Sequence, residues 1–328
     1  MRDPIRPCFC YVLLCTLVAC AALSPAHAQS YPAKPIRFVV GFTAGGASDI
    51  TSRIIGQKLT EHFGQPVIID NRAGASGTIA AAIVARAPPD GYTLLSGATS
   101  ILAINPGLYA KLEYDPVKDF APVSQTVSMP QLLVVHPAVK AVTLKELLAL
   151  AKAKPGELNY SSSGTGSSSH LAMELLKFMT GASFVHVPFK GSGQAMPSLL
   201  AGQVQLVFDP MPSSLPHVRT GRLRAIAIST SARSPAIPEL VTVAEAGVPG
   251  YESSLWYGVL APARTPPEIV AKLNKTVNAI LREPEVVERF AGLGADPLGN
   301  SSAAFARYIG DEIAKWGKVI KAVGMRAE

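Results

Sequence analysis

Short runs of β-branched and aliphatic residues alternate with helix-like stretches along most of this 328-residue chain, and few architectures can absorb that alternation. Residues 36–40, 67–69 and 92–95 read as strands separated by helices over about 48–63 and 78–87. The first helix carries Ile55, Leu59 and Phe63 on one face and stops at Gly64, which ends a helix in the left-handed conformation without strain. A second block repeats the style, with strands over 132–135, 158–161, 184–187, 204–208 and 224–228 and helices over 143–154 and up to Thr180. In that last helix Leu171, Leu175, Phe178 and Met179 read as one buried stripe. After a strand over 256–260 the chain turns helical over 266–282, 284–293 and 302–323, with Pro266, Pro267 and Pro284 in first turns. The length exceeds a single typical domain, so two lobes are expected, with crossovers near 128–131 and 252–257. Residues 29–128 and 257–328 then make lobe 1, and residues 129–256 are inserted as lobe 2.

The first residues have the marks of an export leader: Arg2 and Arg6, an apolar stretch from Cys8 to Leu23, and the small-x-small site Ala26-His27-Ala28. Residues 1–28 are read as a secretory signal peptide. A second reading makes Leu17-Val18-Ala19-Cys20 the box before a lipidated cysteine. All four cysteines (8, 10, 15 and 20) lie in this segment, so cleavage leaves no disulfide, thiolate nucleophile or Cys metal ligand. No later window reaches the run of about 18 apolar residues that a membrane span needs. The formal charge of +7 falls by one when Arg2, Asp3 and Arg6 leave, and no Lys/Arg-dense run remains. Such an excess steers small anions and lacks the basic stripe of a nucleic-acid binder, so no nucleic-acid partner is expected.

The usual catalytic signatures fail one by one. The string nearest to Gly-x-Ser-x-Gly, Gly41-Phe-Thr-Ala-Gly45, has Thr at the nucleophile position. Histidines 62, 136, 170, 186 and 217 stand apart without metal-ligand spacing, so no metal is expected. Gly164-Thr-Gly-Ser-Ser-Ser169 lacks the third glycine of a dinucleotide fingerprint, and no loop ends in the Lys of a phosphate-binding loop, so no cofactor is expected either.

What remains is a pair of Gly/Ser-rich loops, 41–49 and 161–170, each between a strand and a helix. A helix start presents unpaired N–H groups and about half a positive charge, and glycines let a ligand approach that backbone. Two such ends facing one cleft would clamp a small anion. In the first loop Gly45 and Gly46 allow that approach. Ser48 or Asp49 caps the helix, with Asp49 read as a cap or water holder because a carboxylate repels a bound anion. Phe42 either walls the pocket or closes strand one as a core aromatic. In the second loop Ser162, Ser163, Thr165 and Ser168 offer hydroxyls, and His170 either donates to a ligand carboxylate or caps the turn. A third loop, 71–78, carries Arg72, which either forks onto a second carboxylate or ties the loop to its own lobe. Lys190 and Asp209 both follow strand ends, and Asp209 is placed to accept from an ammonium or from ordered water.

With these residues in view, the chain resembles the substrate-binding receptors of tripartite tricarboxylate transporters, the periplasmic Bug proteins. The resemblance covers nearly all of the chain after the leader. It rests on the order and spacing of Ala44-Gly-Gly-Ala-Ser-Asp49, Asn71-Arg-Ala-Gly74, Pro89-Asp-Gly-Tyr-Thr-Leu94, Tyr114-Asp-Pro-Val-Lys-Asp-Phe120, Ser163-Gly-Thr-Gly166 with His170-Leu171, Val187-Pro-Phe-Lys-Gly191 and Trp256-Tyr-Gly-Val-Leu-Ala-Pro262. It implies a two-lobed, type II-like periplasmic binding fold of class α/β, each lobe a mainly parallel sheet flanked by helices. It also implies closure on a small organic carboxylate, hand-over to membrane permease subunits, a monomer, and no catalytic turnover. A sensor that presents its closed form to a membrane kinase would share this fold, and a carboxylate-processing enzyme is the remaining alternative. Carried over by position, the ligand contacts fall on Phe42, Thr43, Ala44, Gly45, Gly46, Ser48 and Asp49 from one side. Ser162, Ser163, Gly164, Thr165, Gly166, Ser168 and His170 face them, with Asp209 at a strand end. The chain departs from the family pattern at Gly41, commonly Pro, and at Pro210, frequently Asn, both beside the cleft.

Overall fold

Strand β1 (Ile36–Val40) runs between and parallel to β2 (Val67–Asn71) and β3 (Thr93–Ala98) in the computed structural model, which describes residues 31–326. The expected leader, its cleavage site and Cys20 lie outside the described residues. Ile36, Phe38, Val39 and Val40 are all buried, as a strand covered on both faces requires. Helices α1 (Ala47–Phe63) and α2 (Thr78–Ala85) make the crossovers between these strands, and Gly64 ends α1 with φ 66°. A helical stretch over 100–108, closing with α3 (Asn105–Leu108), follows β3.

Beyond β3 the pairing changes sense, because two segments run in opposite directions between the halves of the molecule. β4 (Phe120–Val135) leads out and β9 (Ser254–Pro262) leads back, antiparallel to each other and to the strands they meet. β4 is 16 residues long, far beyond the expected 132–135. Pro122, Pro130 and the polar run from Ser124 to Ser128 hide its first part from a search for apolar alternation. Up to Pro130 it pairs with β9; from Gln131 onward it pairs with β7 (Leu206–Pro210) and β8 (Arg224–Ile228). β5 (Asn159–Ser162) joins β7 in parallel, and β6 (Val185–Pro188) extends β5. The strand order is β2-β1-β3-β9-β4-β7-β5-β6, with β8 and the two-residue β10 (Asp296–Pro297) also on β4. The sheet is therefore mixed: the expectation of mainly parallel pairing holds on the flanks and gives way where β4 and β9 cross.

In the second half, successive residues of β4 serve opposite cores, as the two-residue period of a strand dictates. Leu133 and Val135 pack with Leu147 of α4 (Leu144–Ala153), Met173 and Leu176 of α5 (Ser168–Thr180), and Phe208. Leu132 and Val134 pack on the other face with Leu199 of α6 (Ser192–Leu200) and Leu215 of α7 (Met211–Arg219). A capping box between Thr143 and Glu146 starts α4. The α5 stripe is turned from the expected one: Leu171, Ala172, Met173 and Leu176 are buried, whereas Phe178 is 58% and Met179 36% exposed. Of the expected stripe, Leu171 is buried and Leu175 packs at the edge of the core, while Ala172, Met173 and Leu176 complete the buried face in place of Phe178 and Met179. Helices α6 and α7 escaped the sequence reading because Gly193, Pro197, Pro212 and Pro216 look like loop punctuation.

Helices α8 (Pro267–Ile280), α9 (Pro284–Gly292) and α10 (Ser302–Val323) complete the chain. α10 buries Phe305, Ile309, Glu312, Trp316 and Ile320 on one face. The Phe305 ring occupies the space that a side chain at Gly258 of β9 would need. Among the described residues no helix is long and apolar enough to cross a membrane.

Candidate functional site

Four helices begin just past the carboxyl ends of four strands, β1, β5, β6 and β7, and their first residues meet around one cavity of about 30 Å³. That volume accommodates about two water molecules. Gly46, Ala47 and Ser48 come from the start of α1, Ser167, Ser168 and Ser169 from α5, Ser192 from α6, and Pro210 precedes α7. Phe42, Ala98, Leu255 and Tyr257 supply apolar wall, and Ser100 and Gln131 add polar groups. No lysine, arginine, histidine or carboxylate lines it among the described residues.

The positive character of the cavity therefore comes from backbone. The first turn of a helix has N–H groups with no carbonyl behind them, and their dipoles add at the start. The N-caps of α1 and α6 are Gly46 and Gly191, and that of α7 is Pro210, none of them with a side-chain cap. Ser167 caps α5 by accepting from the His170 N–H, which leaves the Ser168 and Ser169 N–H groups ahead of it. An anion placed here meets aligned donors without a desolvated countercharge to compete for it.

Loops from the two halves of the sheet touch directly at this point. The Ser76 hydroxyl donates to the Thr165 carbonyl at 2.6 Å, and Gly164, with φ +126°, leaves the room for it. A Cβ on Gly191 would stand 2.6 Å from Thr43 Oγ1, and one on Gly193 would enter the Ala44 carbonyl. Both glycines are thus required by the close approach of 43–44 to the start of α6.

Of the residues expected at the site, Phe42, Gly46, Ser48, Ser163 and Ser168 line the cavity. Thr43, Ala44, Gly45, Gly164, Thr165 and Gly166 shape the turns behind it. Asp49 folds back: its Oδ2 accepts from the Gly45 N–H at 3.0 Å and from Arg53 Nε at 2.9 Å. Burial alone would raise the Asp49 pKa, but the hydrogen bonds from Arg53 and Gly45 outweigh it and hold the carboxylate below its ordinary value. It closes the turn before α1 and stays out of the cavity. Arg72 pairs with Asp70 at 2.9 Å and so ties its loop to its own strand.

His170 and Ser162 belong to a buried group behind the second loop. His170 Nδ1 accepts from the Gly166 N–H at 3.1 Å, which makes it the cap of the turn. Its ring stacks on His186 with centroids 3.9 Å apart, and the Ser162 hydroxyl lies 2.6 Å from His186 Nε2. Burial pushes the His170 pKa down to about 4 and that of His186 to about 3, so both rings are neutral near pH 7. Ser162 and His186 have the spacing of a nucleophile and its base, yet Ser162 is fully buried and does not line the cavity. Among the described residues no group of three or more His, Cys, Asp or Glu side chains gathers in the manner of a metal site.

Asp209 sits one layer behind the wall, fully buried, with the Ser213 and Ser192 hydroxyls as its partners. Ser192 is in turn 3.1 Å from Ser163, so the carboxyl reaches the cavity only through a hydroxyl. Burial raises the Asp209 pKa from 3.8 to about 6. Because the folded value lies above the unfolded one, the stability it supports is complete below about pH 3.8 and is lost as the pH rises through about 6. The Asp209→Asn variant should therefore gain on the parent as pH rises from 3.5 to 7, by about 3 kcal/mol. Urea unfolding of both proteins across that range reads the difference; a constant difference would mean that Asp209 titrates normally.

Gln131, Ser192 and Tyr257 lie outside the two Gly/Ser-rich loops and carry no local signature of a binding site. Gln131 lies where β4 changes partners, Ser192 opens a helix hidden by glycine and proline, and Tyr257 lies on the returning strand.

Uncharged helix starts gathered at strand ends on this sheet topology place the chain among receptors with the periplasmic binding fold, which its structural neighbours share. Residues 51–325 match the sequence profile described as tripartite tricarboxylate transporter family receptor, and the chain belongs to that family. Protein BugT of Bordetella pertussis is 40% identical over 304 residues, 92% of this chain and 93% of that one. The structure of Rpa4515 of R. palustris with adipate superimposes with a TM-score of 0.88 at 42% identity, covering 90% of this chain and 99% of that one. MatC of Rhodopseudomonas palustris, with bound malate, gives a TM-score of 0.85 at 35% identity, covering 88% and 100%.

Proposed function

We propose that this chain is a receptor that captures a small organic carboxylate in the cavity between its two lobes and delivers it to the membrane permease subunits of a tripartite transporter. The convergence of four helix starts on one cavity without a charged lining residue carries this reading. Adipate and malate in two relatives support a dicarboxylate of modest size as the ligand class. The carboxylate is bound by N–H groups at 46–48 and 168–169 and by the hydroxyls of Ser48, Ser163 and Ser168, with Phe42 as wall. Asp49, His170 and Asp209 hold these elements from behind.

Residues 29–128 with 257–328 form one lobe and 129–256 the other, hinged where β4 changes its pairing partner after Pro130. A cavity of about 30 Å³ holds little more than a carboxylate head, so a larger acid enters by parting the lobes. The protein acts as a monomer in the periplasm after cleavage of residues 1–28.

Thermal unfolding with mono-, di- and tricarboxylates, aromatic acids and acidic amino acids tests the reading. A true ligand at about 100 times its Kd adds about 2.7 kcal/mol of stability. No shift with any acid, together with turnover of a chromogenic ester or amide, would replace the receptor by an enzyme.

A further inference from the structure

Gln131 is fully buried, lines the cavity, and has an oxygen that nothing in the protein satisfies. Its position is set from three sides. The backbone N–H donates to Ser229 Oγ at 2.9 Å, the carbonyl accepts from the Ser229 N–H at 2.9 Å, and Nε2 reaches Ser253 Oγ at 3.4 Å. Ser229 directly follows β8 and Ser253 directly precedes β9, so the backbone of Gln131 is tied to the end of β8 and its side-chain amide to the start of β9. With Nε2 turned to Ser253, Oε1 has no donor among the described residues.

We propose that Gln131 Oε1 is the acceptor for a hydroxyl or ammonium group borne close to the ligand's carboxylate, and that it selects such acids over those with bare methylenes. The inference rests on the carboxylate reading above and specifies the ligand within it. The helix starts at 46–48 and 168–169 provide donors only, which suits the carboxylate, and the serine hydroxyls turn to serve either partner. Among the described side chains that line the cavity, Gln131 Oε1 is the one oxygen that can accept but not donate. A ligand that covers it with methylene takes it from water without a hydrogen bond, whereas one with an O–H or N–H there satisfies it. The cavity is small enough that this donor must lie within a few bonds of the carboxylate.

Calorimetric titration of the folded protein with malate, aspartate and succinate, three acids of one chain length, tests this. Malate or aspartate should bind about 30-fold tighter than succinate. Preference for malate identifies a hydroxyl as the donor, and preference for aspartate an ammonium. In Gln131→Met, which keeps the length but offers only a weak thioether acceptor, the ratio should fall to within about threefold. The wild-type ratio stands as a test even where the variant fails to fold. Succinate binding as tightly as both others overturns the inference and leaves the carboxylate reading intact; no binding by any of the three overturns the inference, and the carboxylate reading falls with it only where the wider panel of acids also gives no thermal shift. An unchanged ratio in folded Gln131→Met also overturns it.

Discussion

Replacing Gly46 by phenylalanine should lower carboxylate affinity at least 100-fold while the unfolding free energy changes by less than about 1 kcal/mol. Gly46 is the N-cap of α1, with φ −80° and ψ 166°, an extended conformation open to any residue. A Cβ there meets Gly193 N and the Thr43 carbonyl at 3.4 Å and Ser192 Cβ at 3.5 Å, ordinary contact distances. Alanine is therefore expected to be mild. A phenyl ring extends past these atoms into the cavity, or else keeps the turn at 43–46 away from the start of α6. Either outcome removes the donors of α1 from the ligand, and neither disturbs a packed core. Calorimetry with the best acid from the panel, paired with urea unfolding, reads both halves of the prediction. Affinity kept within threefold would take this turn out of the binding site.

Glu312→Ala should cost about 4 kcal/mol of folding stability and leave affinity nearly unchanged. Glu312 Oε2 accepts from Trp256 Nε1 and from Trp316 Nε1, each at 2.9 Å, and its side chain is only 8% exposed. Lys315 lies 3.7 Å away at the rim. The carboxylate thus joins α10 to β9 through the Trp256 bond and holds Trp316 of its own helix through the other, in an apolar setting where Trp256 also meets Phe305 and Tyr308 edge-on. Alanine leaves two buried indole N–H groups unmet and a void beside them. Glutamine retains one accepting oxygen and should lose less than half as much. Urea denaturation gives the values; a loss under about 1 kcal/mol for the alanine variant would mean that water replaces the carboxylate.

The parts of the fold that sequence made legible are those in which one local rule acts alone. β1, α1 and its stop at Gly64, and the three C-terminal helices follow from apolar periodicity and from glycine and proline at element ends. The first half of β4 did not follow, because its neighbours β9 and β10 arrive from more than 120 residues away and bury a polar run that looks like loop. α5 was legible and so were Leu171 and Leu175 of its inner face, whereas Phe178 and Met179 point outward. Local pattern could not weigh Ala172 above Phe178, since which face of the helix meets the core is a property of the partner. At the site, the Gly/Ser loops at 41–46 and 162–168 stood out through composition. The helix starts at Ser192 and after Pro210 did not, and Gln131 carries no motif at all. Their convergence is a matter of strand order, which a single chain does not display.

On the proposed function, backbone N–H groups at the starts of α1 and α5 hold one carboxylate between them. Amide NMR on ¹⁵N-labelled protein, titrated with the tightest acid of the panel, tests it most directly. The largest downfield proton shifts are expected at residues 46–48 and 168–169 together, saturating with a single Kd. Saturable shifts confined to another surface, with these five amides unmoved, would contradict it.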